Sequence, residues 1–436
     1  MSFSLTRLER AYSAVVFCHW FGVILPGAVM VLYAQARGLS LAEIGLYGAV
    51  QSATAALFEL PTGNLADRAG RKRAALGGAA LLALSTGALL VSASLPGFVL
   101  YAVLGGLARA LSSGALDAWF VDRVRALAPD ADLQPRLARL NTTELLALGL
   151  GPLAGAALPV LWRGLKLGGD PMSVVIAASL LVNLLTLALI WTRIHDPERP
   201  QTAHPQTDHP QTNVVPALRA GLSSLPTALK EAAHSVRRDS LLPRLLLLEA
   251  LGGVVVAACQ TFWQPFFADQ LGLGRTNTLV FGGVLGGCFL AGMVGNLVAA
   301  RTLAGLGGRL DWLGRLSQGA QALALLLLAW SGSVWAAAGL LWLLYLVRTV
   351  PMSSLTALYN ERIPSERRSL MLSVLSVAFF IGVTLGNLGL GVLAEQTSVR
   401  VAWTVTAGVL LLSVGLFKKL DRTEVQAEQS ATVQKP

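Results

Sequence analysis

A handful of titratable side chains stand inside long apolar stretches, and they set the question of what chemistry the chain can do. Arg109 interrupts an apolar run over 97–120 and is followed by Ser112-Ser113-Gly114 and Asp117. Glu249 lies early in the run 241–267, where Gln260, Trp263, Gln264 and Phe267 follow it. At roughly 100° per residue these five fall within about one third of a helix circumference. His19 shares a stripe with Tyr12, Pro26, Met30 and Tyr33 in the run 11–33, while Arg348 with Tyr345 and Tyr359, and Asn387, stand in later runs. A carboxyl group shielded from water takes up a proton near neutral pH. An imidazole titrates near pH 6.5 when unperturbed. A guanidinium stays charged and pairs with a carboxylate or an anionic ligand. Glu249, Asp117 and His19 are therefore the proton-handling candidates, and Arg109 is a fixed charge that must find its partner within the protein. Gln260, Trp263, Gln264, Arg348, Tyr345 and Asn387 are the candidates for lining a small-molecule cavity. The bland alternatives are a glutamate hydrogen-bonded for packing, an arginine in a fixed ion pair and a histidine serving as a packed donor.

The elements that hold these residues follow from composition. Of 436 residues, 54% are apolar and 13% are charged, with a mean hydropathy of +0.60. A soluble domain carries about 25% charged residues, so this chain has too little polar surface to face water all round and lipid is its solvent. The apolar runs are long and unbroken rather than alternating, which predicts helices and not a strand barrel. Spans of about 20 residues are predicted near 11–33, 41–61, 74–94, 97–120, 140–161 and 172–193, and again near 241–267, 278–300, 311–331, 334–358, 370–393 and 400–417. The expected fold is an all-α membrane protein of twelve transmembrane helices in two six-helix bundles. Its divisions are 1–193, a cytoplasmic linker 194–240, 241–417 and a tail 418–436. Arg and Lys cluster in alternate loops, which places both termini in the cytoplasm and the chain in an inner (cytoplasmic) membrane. The run after Arg7 and Arg10 is too long for a signal peptide core and is kept as a helix.

The linker carries Arg199-Pro-Gln-Thr, His204-Pro-Gln-Thr and His209-Pro-Gln-Thr. Proline every five residues excludes a regular helix there. Beyond it, Leu218, Leu222, Leu225, Leu229 and Val236 recur at roughly helical spacing with basic residues interleaved, as in a helix lying on a membrane surface. The net charge of +10 is dispersed in loops, which argues against nucleic-acid binding. Cys18, Cys259 and Cys288 show no spacing for disulfides or zinc. Solvated His204 and His209 make no metal site. No phosphate-binding loop or catalytic arrangement is present. The chain is thus expected to be no enzyme, to use no cofactor or metal, and to act as a monomer within the bilayer.

The two halves resemble each other. Gly63-Asn64-Leu65 recurs as Gly295-Asn296-Leu297, and Arg109, Leu116, Ala118, Phe120, Asp122 and Arg123 correspond to Arg348, Leu355, Ala357, Tyr359, Glu361 and Arg362. Repeats of this kind build secondary transporters, in which two bundles rock about a central site.

One motif is sharper than the rest. Gly63-Asn64-Leu65-Ala66-Asp67-Arg68-Ala69-Gly70-Arg71-Lys72, preceded by Glu59-Leu60-Pro61-Thr62, resembles the cytoplasmic loop signature of the major facilitator superfamily. The resemblance implies a gating loop built on Gly63, Asp67, Arg68, Gly70, Arg71 and Lys72. Glycines permit the turn, Asp67 accepts hydrogen bonds from a helix end or an arginine, and the cations anchor to the inner surface. Gly149-Leu150-Gly151-Pro152-Leu153-Ala154-Gly155 resembles the helix 5 signature of the superfamily's drug/proton antiporters, with Gly151, Pro152 and Gly155 as the key positions and Ala156 where a final glycine is usual. Family members often place an arginine where Arg109 stands, and the resemblance implies a part for it in proton coupling, although its spacing to Gly114 departs by one residue from the common antiporter form. These antiporters often carry an Asp in the first helix, and this chain has none there. Glu59, Asp117 and Glu144 lie near cytoplasmic helix ends, where pairing with loop arginines at an inner gate is the simpler role. The resemblance implies a proton-coupled exporter of a small organic molecule working by alternating access. The alternatives are an uptake symporter or facilitator, with Arg109 and Arg348 holding an anionic substrate, and a membrane receptor that transports nothing.

Overall fold

In lipid every backbone N–H and C=O needs a partner within the protein, so long apolar runs fold as helices. In the computed structural model every described element is helical. It describes residues 5–112, 114–195, 230, 236, 241–362 and 368–418, with the backbone alone at 60, 63–69, 360–362 and 368–370. In chain order these are α1 (Leu5–Ile24), a 3-10 turn (Leu25–Ala28), α2 (Met30–Ala36), α3 (Leu41–Ala69), α4 (Arg71–Val91), α5 (Leu95–Ser112), α6 (Ala115–Leu127), α7 (Gln134–Gly164) and α8 (Pro171–Arg193). Then follow α9 (Leu242–Pro265), a π-turn (Phe266–Gln270), α10 (Thr278–Gly305), α11 (Leu310–Ala329), α12 (Val334–Thr349), α13 (Met352–Arg362), α14 (Arg368–Gln396), α15 (Val399–Ser413) and a last 3-10 turn (Val414–Phe417). The linker repeat and nearly all of its expected surface helix lie outside the described residues.

Ten stretches are long and apolar enough to cross a membrane. The predicted spans 41–61 and 311–331 fall on α3 and α11, helices of 29 and 20 residues that are not among those ten. Polar residues explain it: α11 carries Asp311, Arg315, Gln318 and Gln321 on its first three turns, and α3 carries Glu43, Gln51 and Glu59.

The chain divides into two compact units. Unit 1 is Met1–Leu39, Tyr47–Glu231 and Thr278–Gly283, and unit 2 is Ser40–Leu46, Ala232–Asn277 and Val284–Pro436. Within unit 1, α1 packs on α7 and α8, and α4 packs on α5 and α8. Within unit 2, α9 packs on α14 and α15, and α11 packs on α12 and α15. Both units therefore use one neighbour pattern. Their internal polar bonds repeat as well. Ser85 of α4 donates to Tyr101 O of α5 at 2.8 Å, and Ser317 of α11 donates to Val347 O of α12 at 2.6 Å. The next residues tie to the last helix of each unit: Asn183 Nδ2 of α8 donates to Thr86 Oγ1 at 2.9 Å, and Gln318 Nε2 donates to Ser413 Oγ of α15 at 2.7 Å.

Three of the predicted spans are interrupted, and each interruption frees a carbonyl that a neighbouring hydroxyl satisfies. Pro26 has no N–H to offer Gly22, four residues earlier, and α1 gives way to the 3-10 turn. Ser179 of α8 donates to Gly22 O at 2.7 Å. Pro351 likewise leaves Val347 O free between α12 and α13, and that oxygen is the one Ser317 reaches. Between α5 and α6 the chain turns through Gly114 at φ +66, a left-handed conformation that suits glycine. Ala110 O, in the last turn of α5, accepts from Thr62 Oγ1 of α3 at 2.8 Å.

At the other end of unit 1, Asp170 caps α8. It accepts from Met172 N at 3.0 Å and from Ser173 Oγ at 2.9 Å, and pairs with Arg37, whose guanidinium lies 4.5 Å over the Tyr33 ring. Burial pushes the Asp170 carboxyl up, but the Met172 amide, the Ser173 hydroxyl and the Arg37 guanidinium outweigh it and hold the group below its usual range.

Two outcomes follow for stability. Ser179→Ala strands a buried carbonyl and Ser317→Ala a part-buried one, and each should cost about 1 kcal/mol, read as a lower Tm in detergent by tryptophan fluorescence. Asp170→Ala should cost about 1 kcal/mol at neutral pH, the usual value of a lost helix cap. Because folding lowers this carboxyl's proton affinity, its contribution is present above the unfolded carboxyl's range and fades as pH falls through the folded one. The Tm gap between the wild type and Asp170→Ala should therefore close as pH drops below about 4.

Candidate functional site

In unit 1 the candidates gather at the break between α5 and α6. Arg109 stands in the last turn of α5, where a cation meets the partial negative charge of the helix end, and Asp117 stands in the first turn of α6, where an anion is favoured. Each such placement is worth about 0.3–1 kcal/mol at an exposed site. Arg109 interacts electrostatically with Glu59 of α3 and with His19 of α1. The Tyr12 hydroxyl of α1 donates to Asp117 Oδ1 at 2.7 Å. Glu144 of α7 acts on both Asp117 and Tyr12. Five helices thus bring two cation-capable groups and three carboxyls together. The tyrosine ring is seated by stacking on Phe120, centroids 4.7 Å apart and 13° between planes, with Trp119 at 6.0 Å.

In unit 2 the equivalent break separates α12 from α13, and Arg348 stands in the last turn of α12. Glu249 of α9 is half-buried, and its Oε1 accepts from the Tyr359 hydroxyl of α13 at 2.8 Å. Arg348 acts on Glu249 as well. Tyr345 and Gln260 share a hydrogen bond, and Phe289 meets the Tyr345 ring edge-on at 6.4 Å. Gln260 is exposed, and Tyr345 and Arg348 are half-buried. Trp263, Gln264 and Asn387 are placed otherwise, at 2%, 1% and 4% exposure. Asn387 Oδ1 accepts from Thr261 Oγ1 at 2.8 Å, a bond that ties α14 to α9. These three serve the packing of unit 2 in this arrangement. The 100° stripe gathered them with Gln260 because it cannot distinguish a face turned to a cavity from a face turned to another helix.

The motif loop is described only in part. The side chains of Gly63, Asp67 and Arg68 lie outside the described residues, and Gly70 leads into α4 with φ +99. Arg71 bonds the Asp122 carboxylate and Ala118 O of α6. Lys72 donates to Trp191 O of α8 at 3.1 Å and lies 5.9 Å over that ring. Both cations are engaged by protein, holding α4 to α6 and α8, whereas the sequence suggested the inner surface as their partner. In α7, a Cβ on Gly155 would come within 1.9 Å of Leu25 O, so glycine lets α7 press against the turn that Pro26 creates. Gly151 similarly faces Ile24. Ala156, in place of the usual glycine, turns its methyl to Gly282, which has no Cβ to oppose it, and Ala156 O accepts from Thr278 Oγ1 at 2.8 Å.

Sequence reasoning missed the breaks in 97–120 and 334–358, and with them the reason both arginines stand where they do. Gly114 and Pro351 were the available signals. It also left Tyr12 as a stripe member and Tyr359 as a neighbour of Arg348, although each is the hydrogen-bond partner of a proton-handling candidate. Chemically, each unit offers a carboxylate able to exchange a proton, a tyrosine hydroxyl bonded to it, and an arginine at a helix end able to hold an anion or a carboxylate.

Comparison with known proteins bears on the fold. The nucleoside transporter NupG has a structure similar over 94% of this chain and 97% of its own, with TM-score 0.71 and 14% identity. A D-xylose-proton symporter matches over 95% and 97%, with TM-score 0.66 and 15% identity. A POT family transporter in complex with a thioalcohol conjugated peptide matches over 98% and 96%, with TM-score 0.70 and 13% identity. At such identity the likeness is one of fold. No curated protein matches the chain. The sequence profile of the Major Facilitator Superfamily matches residues 12–350. A match over most of the chain makes this protein a member of the Major Facilitator Superfamily.

Proposed function

We propose that this chain is a proton-coupled secondary transporter of a small organic molecule, working by alternating access of twelve membrane-spanning helices. The observation that carries the reading is the pair of carboxylates, Asp117 and Glu249, each bonded to a tyrosine hydroxyl inside an apolar helical unit, with Arg109 or Arg348 at the adjacent helix break. A charge held at such depth costs about 2.5–3.5 kcal/mol unless it faces protein or water, so groups of this kind mark ion and substrate pathways. A proton arriving at either carboxylate removes a charge. It thereby changes the relative stability of two conformations, which is all that coupling requires. Glu249 is the leading coupling group, with Arg348, Gln260 and Tyr345 beside it as substrate contacts. The protein acts as a monomer in a cytoplasmic membrane with both termini inside.

Direction divides the reading in two. Export draws on the Gly-Pro sequence of α7. Uptake draws on the fold shared with a D-xylose-proton symporter and on two arginines suited to an anionic group. The test begins with thermal-shift screening of nucleosides, pentoses, short peptides and organic cations against the purified protein. The best binder is then followed by radiolabel in proteoliposomes under an imposed pH gradient. A gradient should accelerate flux, against the proton flow for antiport or along it for symport. Glu249→Gln should lower gradient-driven flux about tenfold, the factor that about 1.4 kcal/mol represents, while sparing gradient-free exchange. Flux indifferent to the gradient would remove proton coupling, and binding without flux in either direction would favour a receptor.

A further inference from the structure

The two tyrosine–carboxylate bonds join the same pair of elements in each unit. One partner comes from the unit's first helix, α1 or α9, and the other from the segment after the break, α6 or α13. Yet the residues have traded sides. In unit 1 the first helix supplies the hydroxyl, Tyr12, and the post-break segment the carboxylate, Asp117, at 2.7 Å. In unit 2 the first helix supplies the carboxylate, Glu249, and the post-break segment the hydroxyl, Tyr359, at 2.8 Å. Phe120 holds the place in α6 that Tyr359 holds in α13, and it stacks on Tyr12. Packing alone does not ask for this. An apolar pair of similar volume fills the same space without the desolvation of an acid. What both units retain, by different residues, is a phenol against a carboxylate.

We propose that Tyr12 and Tyr359 are positioning residues that set the protonation of Asp117 and Glu249, so that each unit has its own proton-accepting carboxylate and the protein has two. This rests on the proton-coupled reading above. Asp117 faces Tyr12 and His19 from α1 and Glu144 from α7. Glu249 faces Tyr359 from α13 and Arg348 from α12. With the carboxylate ionised, the phenol O–H gives it a charge-assisted hydrogen bond, about twice as strong as a neutral one. A proton delivered from water to the carboxylate cancels that assistance, and the phenol keeps its own proton throughout. The tie between the first helix and the post-break segment weakens as a result. Because α6 follows the turn at Gly114 and α13 follows Pro351, the loosened segment is joined to the rest of its span at a break rather than through continuous helix.

The test needs no substrate. The full-length protein in lipid nanodiscs is titrated with acid while the carboxylic C=O stretch is followed by infrared difference spectroscopy. Among the bands of the chain's 24 Asp and Glu residues, one is expected to be absent in Asp117→Asn and another in Glu249→Gln. Tyr12→Phe should move only the Asp117 band and Tyr359→Phe only the Glu249 band, each toward higher pH by about one unit, a tenfold change in proton affinity. Phenylalanine keeps the ring and its stacking, so a purely structural tyrosine would shift the Tm and leave the midpoints in place. Unmoved midpoints in both Phe variants overturn the proposal. A band lost in Glu249→Gln with none lost in Asp117→Asn overturns the two-site claim and leaves Glu249 as the coupling group. Two bands that respond as expected, in a protein whose flux ignores a pH gradient, uphold the positioning role and remove the transport reading instead.

Discussion

A hydrogen-bonding group inside lipid has nowhere to turn but the protein, and that constraint shapes each unit. Proline at positions 26 and 351 and glycine at 114 interrupt helices that composition alone would run straight through. Each interruption strands a carbonyl, and a hydroxyl from a neighbouring helix answers it: Ser179 for Gly22, Ser317 for Val347, Thr62 for Ala110. The breaks are not defects in the packing. They supply helix ends in the middle of a span, and helix ends are where isolated charges are tolerated. Arg109 and Arg348 sit on such ends, and the carboxylates sit opposite.

The repeat gives this arrangement twice. Equivalent helices choose equivalent neighbours in the two units, and the bonds from Ser85 and Thr86 recur at Ser317 and Gln318. Side-chain identity drifts where geometry does not need it: Thr86 accepts a bond where Gln318 donates one. The tyrosine and carboxylate exchanging sides is the same drift at another bonded position. Two units that keep a bond while changing its residues are constrained by the bond's chemistry rather than by a particular side chain.

Much of the fold could be read directly from residues. Long uncharged runs specify helices because lipid leaves the backbone no alternative, and the Gly-Asn-Leu recurrence with Arg109 and Arg348 revealed the repeat. The site was legible in kind and less so in detail. A hydrophobic stripe marks which residues share a face but not what that face meets, so buried Trp263, Gln264 and Asn387 were grouped with exposed Gln260. Arg71 and Lys72 looked like surface anchors because their protein partners, Asp122 and Trp191, are distant in sequence. Tyr12 and Asp117 are separated by 105 residues, and Tyr359 and Glu249 by 110. No local pattern announces such pairs. The breaks were visible as single residues, Gly114 and Pro351, whose weight is small inside an apolar average and decisive for the helix that contains them.

The central claim is that the spans 97–120 and 334–358 are each interrupted beside an arginine, and the proposed function requires water to reach both breaks. Hydrogen–deuterium exchange of the backbone amides, in lipid nanodiscs, measures this most directly. Amides at 114–117 and 352–354 should exchange far faster than those of α5 and α12 on their flanks, since helix ends leave the first N–H groups without partners. Protection there equal to that of the flanking helices would mean continuous helix or dry surroundings, and either would contradict the account.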